Sequence, residues 1–412
     1  MTVAVVSSIR KERFQTWIVS AGILLTAAIG SAVAGAHVHV VGAMVDPLND
    51  AFGWSRGDIT LALAMGSVVH AVTNIAVGAL TDRYGPRRIL VPGIALYAIG
   101  CALLGLAGPQ LWTWYAAYLA FTILSSGASS IAWTVIVIQR FDRNRGLALA
   151  ASLAGPGAVV SLMPTIVVGL VEHFGVRGVY PTLALGAFVL MIVPTWLFVP
   201  KTMQSAIPAK PRQPPRKWWL TLASRKVWQL AAALGLVAAC IGTLLVHFQA
   251  MLIDAGLRPG EAASVALVTG PALVVGRLLT GFLYDRLPPL AVTVGAFCLP
   301  AIAAIWILAV PIGFGSAHWL AILIGLGIGC EVDVAAYLSS RYFDTADYGK
   351  IYGLVITVYS VSVAAASWLA GLAFDRTGSY APALGAFAVG IAVAIALVTF
   401  LGQPPPSTRP RR

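Results

Sequence analysis

Long stretches without charge recur down this chain and constrain its fold more than any other feature. An α-helix needs about twenty apolar residues to cross the hydrocarbon of a bilayer. Runs of that kind occupy roughly residues 16–43, 58–80, 87–107, 110–139, 146–171, 179–199, 227–252, 262–284, 289–311, 317–341, 350–374 and 381–402. Gly, Pro and clusters of charge separate them. Charged residues make up 10% of the 412 residues, against about 25% in a soluble domain, too few to cover a water-facing surface. The expectation is an all-α polytopic membrane protein with twelve transmembrane helices. The first run is over-long and contains His37 and His39, so a tilt or a break is expected there.

Lys and Arg set the orientation. With the N-terminus inside, 22 of the 27 Lys and Arg residues fall in segments that face the cytoplasm. Four fall outside, Arg56, Arg177, Arg258 and Arg376, and Arg277 lies within a span. This split explains the net charge of +12 without nucleic acid. It predicts a multi-pass protein of the cytoplasmic (inner) membrane with both termini cytoplasmic. The apolar run after the basic N-terminus is too long for a signal-peptide core and reads as a retained first span. The four cysteines fall inside apolar runs without CxxC spacing and read as small core residues.

Residues 200–226 form the one long polar segment, Pro-rich and basic, which reads as a cytoplasmic linker. It divides the chain into a six-span half at 1–199 and another at 227–402, with a cytoplasmic tail at 403–412. The halves repeat. GALTDRYGPRR (78–88) matches GFLYDRLPP (281–289), and QRFDRNRGLAL (139–149) roughly matches SRYFDTADYGKIYGL (340–354). Parallel repeats of this kind place a substrate site near the midplane, between the halves.

Gly78, Leu80, Asp82, Arg83, Gly85, Arg87 and Arg88 match the loop signature between the second and third spans of the major facilitator superfamily. The chain resembles that superfamily over nearly its whole length. Within it, DPLNDAFGWSRGDI (46–59), GRLLTGFLYDR (276–286), GCEVDVAAYLSSRYF (329–343) and LAGLAFDRTGSY (369–380) resemble the monocarboxylate-transporter-like branch, which includes bacterial organic-acid carriers. The resemblance implies two pseudo-symmetric six-helix halves that alternate access to a central site. It also implies that the loop motif latches the halves. Asp82 is expected to pair with Arg140, and Asp285, beside Arg286, with Arg341. Two positions depart from the animal carriers of this branch. Leu273 stands where they have an Asp one turn before the eighth-span Arg, and His39 aligns with their first-span Lys.

An Arg within the hydrocarbon costs at least ~2.5–3.5 kcal/mol, so Arg277 implies a partner, a cavity or an anionic ligand. Its planar fork suits a carboxylate. It reads as the substrate anchor, or else as the partner of Glu331 or Asp333. Its repeat mate in the first half is Asn74, so the site is asymmetric. Glu331 and Asp333 point about 200° apart on one helix and cannot share one role. Glu331 is the favoured proton-coupling residue; Asp333 and His39 stay open as alternatives. His39, His247 and Tyr337 are further candidates to line the substrate cavity. His37 and His39 do not converge as a metal pair, and no metal site is expected. Gly155, Pro156 and Gly157 read as small-residue packing and a kink. Tyr97, Trp133, Tyr359 and Trp368 read as packing or as the floor of an apolar pocket.

No nucleophile–base pair, metal-binding cluster or phosphate loop is present, so an enzyme is not expected. The expected function is proton-driven symport of a small organic anion, aliphatic or aromatic, most simply a monocarboxylate. The partners are the anion, protons and the lipid bilayer, with no cofactor beyond the proton gradient and no obligate protein partner. Anion exchange or export on the same fold is the alternative. A membrane sensor would need an output domain, and the linker and tail are too short for one.

Overall fold

The apolar runs fold into helices. A computed structural model describes residues 2–140, 152, 155–200, 224–343 and 348–402. Among the described residues the regular structure is wholly helical. It consists of α1 (Thr2–Phe52), α2 (Arg56–Tyr84), α3 (Pro86–Leu104), α4 (Leu111–Ser125), α5 (Ser130–Arg140), α6 (Gly155–Phe198), α7 (Arg225–Asp254), α8 (Pro259–Tyr284), α9 (Pro289–Ala309), α10 (Phe314–Tyr342), α11 (Tyr348–Thr377) and α12 (Ala381–Phe400). Nine helices among the described residues are long and apolar enough to cross a membrane. Residues 201–223 of the expected linker, the tail at 403–412 and most of the 139–149 repeat lie outside the described residues.

Elements and expected spans do not correspond one to one. The 44 residues of α6 hold the fifth and sixth spans, parted at Gly175, whose φ of 65° lies in the left-handed region that glycine tolerates. The fourth span is divided. α4 ends at Ser125, a 3-10 turn covers Ser126–Ala128, and α5 resumes at Ser130. Serine side chains there compete for backbone hydrogen bonds. A Cβ on Gly127 would also lie 3.0 Å from the Gly93 Cα of α3, so the backbones nearly touch at the break. α1, by contrast, runs unbroken through His37 and His39.

The chain divides into two compact units. One comprises Met1–His37, Val69–Val159 and Arg177–Pro211. Its core is aromatic: Trp114, Trp133, Tyr118 and Phe121 are fully buried. Trp133 Nε1 donates to Ala128 O at 2.9 Å and the Tyr97 hydroxyl to Val33 O at 2.8 Å, so both rings are fixed in packing. His37 stacks near His70, ring centroids 6.4 Å apart, with Phe121 at 5.6 Å.

The other unit comprises Val38–Val68, Val160–Val176 and Arg212–Arg412. Its helices pair through small residues, which let backbones approach where lipid offers no hydrophobic drive between helices. A Cβ on Gly276 of α8 would lie 2.5 Å from Leu326 O of α10. One on Gly325 or Gly329 of α10 would press on the carbonyls of Thr269 or Leu273 of α8. α7 meets α11 likewise, Gly242 against Val363. Pro271 inside α8 has no N–H for the Leu267 carbonyl four residues back. Ser161 of α6 supplies the missing donor: its Oγ bonds Leu267 O at 3.0 Å and accepts the Gly270 N–H at 3.0 Å.

Candidate functional site

The close packing of α8 on α10 sets Arg277 beside the acids of α10. Arg277 Nε stands 3.6 Å from Asp333 Oδ2, and the two side chains keep 23% and 34% of their exposure. Glu331, two residues earlier, faces α11 instead. It is 2% exposed, and its Oε2 accepts the Tyr359 hydroxyl at 3.0 Å. Its Oε1 has no hydrogen-bond partner among the described residues. The helical phase of α10 thus gives each acid its own partner. Tyr337, one turn deeper, stacks on Tyr284 of α8 with ring centroids 3.8 Å apart. Arg341 lies over the same ring at 5.9 Å.

A shallow pocket opens in the same unit, about 460 Å³ when the open space at its mouth is included. Its wall joins His39 of α1, Pro164 of α6, Leu244, Phe248 and Gln249 of α7, Thr269 of α8 and Ile324 of α10, with smaller neighbours. His39 is half-buried. Arg277 does not line this pocket.

His247 is placed elsewhere. It is fully buried, with Nε2 2.8 Å from Ser367 O and Nδ1 3.0 Å from the Tyr380 hydroxyl. A carbonyl only accepts, so Nε2 carries the hydrogen and Nδ1 accepts from Tyr380. Tyr380 in turn accepts from Arg56 Nη1 at 3.0 Å. Burial pushes the Tyr380 hydroxyl above its usual pKa, which keeps it a donor. Arg56 is the hub. Its guanidinium forks onto Asp254 at 2.6 and 2.8 Å, reaches Asp46 at 3.0 Å and lies 4.1 Å over the Phe374 ring. Asp375 accepts the backbone N–H of Arg56 at 3.0 Å and of Gly57 at 2.8 Å, capping α2 across more than 300 residues of chain. This cluster ties α1, α2, α7 and α11 together. Sequence reading assigned Arg56 only to a loop, missed Asp46, Asp254, Asp375 and Tyr380, and read Tyr359 as packing or pocket floor rather than as the partner of Glu331. The signal lay in DPLNDAFGWSRGDI and LAGLAFDRTGSY, which hold Asp46, Arg56, Asp375 and Tyr380.

The loop motif is described in part. The side chains of Asn74, Gly78 and Asp82 lie outside the described residues, and with Asp82 the expected Asp82–Arg140 pair. Gly85 turns the chain between α2 and α3 at φ 85°. Arg83 lies over its neighbour Tyr84, while Arg88 and Arg140 are exposed. Arg87 donates to Val199 O and lies 5.8 Å from the Trp196 ring. The expected Asp285–Arg341 pair is not formed. Asp285 is exposed at the end of α8, and Arg341 is drawn over Tyr337, one turn back on its own helix. Arg286 lies 3.5 Å over the Phe282 ring. No group of three or more metal-ligating side chains occurs among the described residues.

Comparison with known proteins places the fold. The Major Facilitator Superfamily model matches residues 24–367. Human monocarboxylate transporter 11 is 26% identical over 353 residues, which cover 81% of this chain and 72% of that one. The uncharacterised transporter YcxA of Bacillus subtilis is 24% identical over 368 residues, covering 87% and 89%. Among solved structures, an inward-facing bacterial homologue of the human lysosomal transporter Spinster aligns with a TM-score of 0.68 at 15% identity, covering 93% and 95%. A variant of the nucleoside transporter NupG aligns at 0.75 with 9% identity, covering 93% and 100%. At such identities the structural likeness bears on fold alone. The span pattern, the loop motif, the helical architecture and these matches agree: the chain belongs to the major facilitator superfamily and is a membrane transporter, not an enzyme.

Proposed function

We propose that the chain carries a small organic monocarboxylate across the cytoplasmic membrane by alternating access, together with a proton. Arg277 is the observation that carries this reading. It is a permanent charge inside a membrane helix, partly open, and held to Asp333 at 3.6 Å, a long contact for an ion pair. A substrate carboxylate can take the guanidinium fork bidentately. Relatives named as monocarboxylate transporters support the substrate class.

Glu331 is the proton site in this reading. It is enclosed, held by one hydroxyl, and has a second oxygen without a partner among the described residues. The two six-span halves exchange access, and the loop motif and Arg56 cluster act as latches at opposite ends. Protein reconstituted in liposomes with an alkaline interior is expected to accumulate a labelled monocarboxylate, and a protonophore to abolish the accumulation. Arg277→Lys keeps the charge but loses the fork, and uptake is expected to fall by at least about ten-fold. Normal uptake by that variant removes Arg277 as the anchor. Accumulation that ignores the gradient replaces symport with exchange.

A further inference from the structure

We propose that the pocket between His39 and Gln249 receives the body of the transported acid, so that the substrate is a monocarboxylate with an extended apolar body bearing one uncharged hydrogen-bonding group. This rests on Arg277 as the carboxylate anchor. Thr269 in the pocket wall precedes Arg277 by eight residues on α8, and Ile324 precedes Glu331 by seven on α10. At 1.5 Å per residue these are offsets of about 12 and about 10 Å. The pocket and the charged cluster are therefore two stations along the same pair of helices. A three-carbon acid cannot engage both, whereas an acid with an aryl or alkyl body can.

The lining defines that body. Leu244, Phe248, Ile324, Val160 and Pro164 are apolar, and no Lys, Arg, Asp or Glu joins them. A second carboxylate would enter there without a counter-charge, at high cost, which excludes dicarboxylates. One polar group in the wall is nonetheless unmatched. The enclosed Oε1 of Gln249 has no hydrogen-bond partner among the described residues, and the His39 imidazole lines the same wall. Inside a membrane protein such groups are costly unless something satisfies them. A ligand hydroxyl both donates and accepts, and suits an imidazole or a carboxamide. The wall is held in shape from both sides. Gly42 of α1 lies against Val246 of α7, where a Cβ would come within 2.7 Å of a carbonyl, and Ser161 braces α8 at its proline.

Uptake of four labelled probes by the reconstituted full-length protein tests this: lactate, succinate, phenylpropanoate and its para-hydroxy derivative. The hydroxylated aryl acid is expected to lead, lactate to trail it by about ten-fold or more, and succinate to be excluded. Gln249→Leu, close in volume, is expected to lower the ratio of hydroxylated to plain phenylpropanoate about ten-fold. Ala266→Phe fills the wall and is expected to lower the ratio of phenylpropanoate to lactate. Should that variant fail to fold, the wild-type ranking and Gln249→Leu still decide. Lactate moved as readily as the aryl acids, or ratios that Gln249→Leu leaves in place, overturns this proposal and leaves the anion reading standing. Failure of every carboxylate to enter overturns both.

Discussion

Glu331 and Asp333 stand two residues apart on α10 yet meet different helices, because two residues turn a helix by about 200°. Asp333 faces Arg277 of α8, and Glu331 faces Tyr359 of α11. Glu331→Gln keeps the side-chain volume and an acceptor for Tyr359 but cannot take up a proton. The expected outcome in liposomes is loss of acid-driven accumulation with exchange of substrate retained. Asp333→Asn leaves Glu331 untouched, and accumulation is expected to survive, though Arg277 loses its neighbour. The reverse pattern would move the proton to Asp333. These three charged residues were visible in the sequence because each interrupts an apolar run. Tyr359 was not, since nothing local distinguishes a tyrosine that meets an acid 28 residues away from one that packs.

Between elements, the Arg56 cluster does the joining. One guanidinium, 11% exposed, links α2 to Asp46 of α1, Asp254 of α7 and Tyr380 before α12. Removing Arg56 leaves Asp46 and Asp254, which keep 22% and 35% of their exposure, without their counter-charge, and water compensates only part of that loss. Arg56→Ala is therefore expected to lower thermal stability and to expose a cysteine placed at Ser55 to aqueous maleimide. The network also requires a neutral His247, whose Nδ1 accepts from Tyr380. Protonated, His247 would aim a second donor at an oxygen that already receives Arg56, with Tyr380 left to find another acceptor. Acid is thus expected to speed labelling of the Ser55→Cys protein relative to free cysteine at the same pH, and His247→Gln to blunt the effect. The helices themselves were legible from run length, since a bilayer demands about twenty apolar residues. The division of the fourth span at Ser125–Ser130 was not, because the serines and glycine there fit a packed helix equally well until Gly93 is seen against Gly127. The cluster was illegible for a different reason: Arg56 is 198 residues from Asp254 and 324 from Tyr380, separations at which periodicity carries no information.

At the scale of the molecule, orientation in the membrane is what the charge distribution decides. Cytoplasmic loops carry the excess of Lys and Arg because positive segments resist translocation, and 22 of the 27 such residues share one assigned side. α8 offers the cleanest check, since Arg258 caps one end and Arg286 follows the other, both exposed. The offset of 28 positions between them measures about 42 Å along the helix, more than the ~30 Å hydrocarbon, so one helix must present its ends to opposite compartments. Background from native thiols is low: Cys101, Cys240 and Cys330 are buried and Cys298 half-buried. In intact cells, an impermeant maleimide is expected to label Arg258→Cys and to reach Arg286→Cys only after permeabilisation. The opposite result would invert every loop at once, because the helices alternate. It would place the Arg56 cluster on the cytoplasmic side and the loop motif of α2 outside, while an inside-alkaline gradient would still drive a proton-coupled acid inward, because the gradients and not the orientation of the carrier set the direction of net flux. The same charges that anchor the topology thus determine which cluster meets the cytoplasm, while the proton gradient determines which way a proton-coupled acid moves.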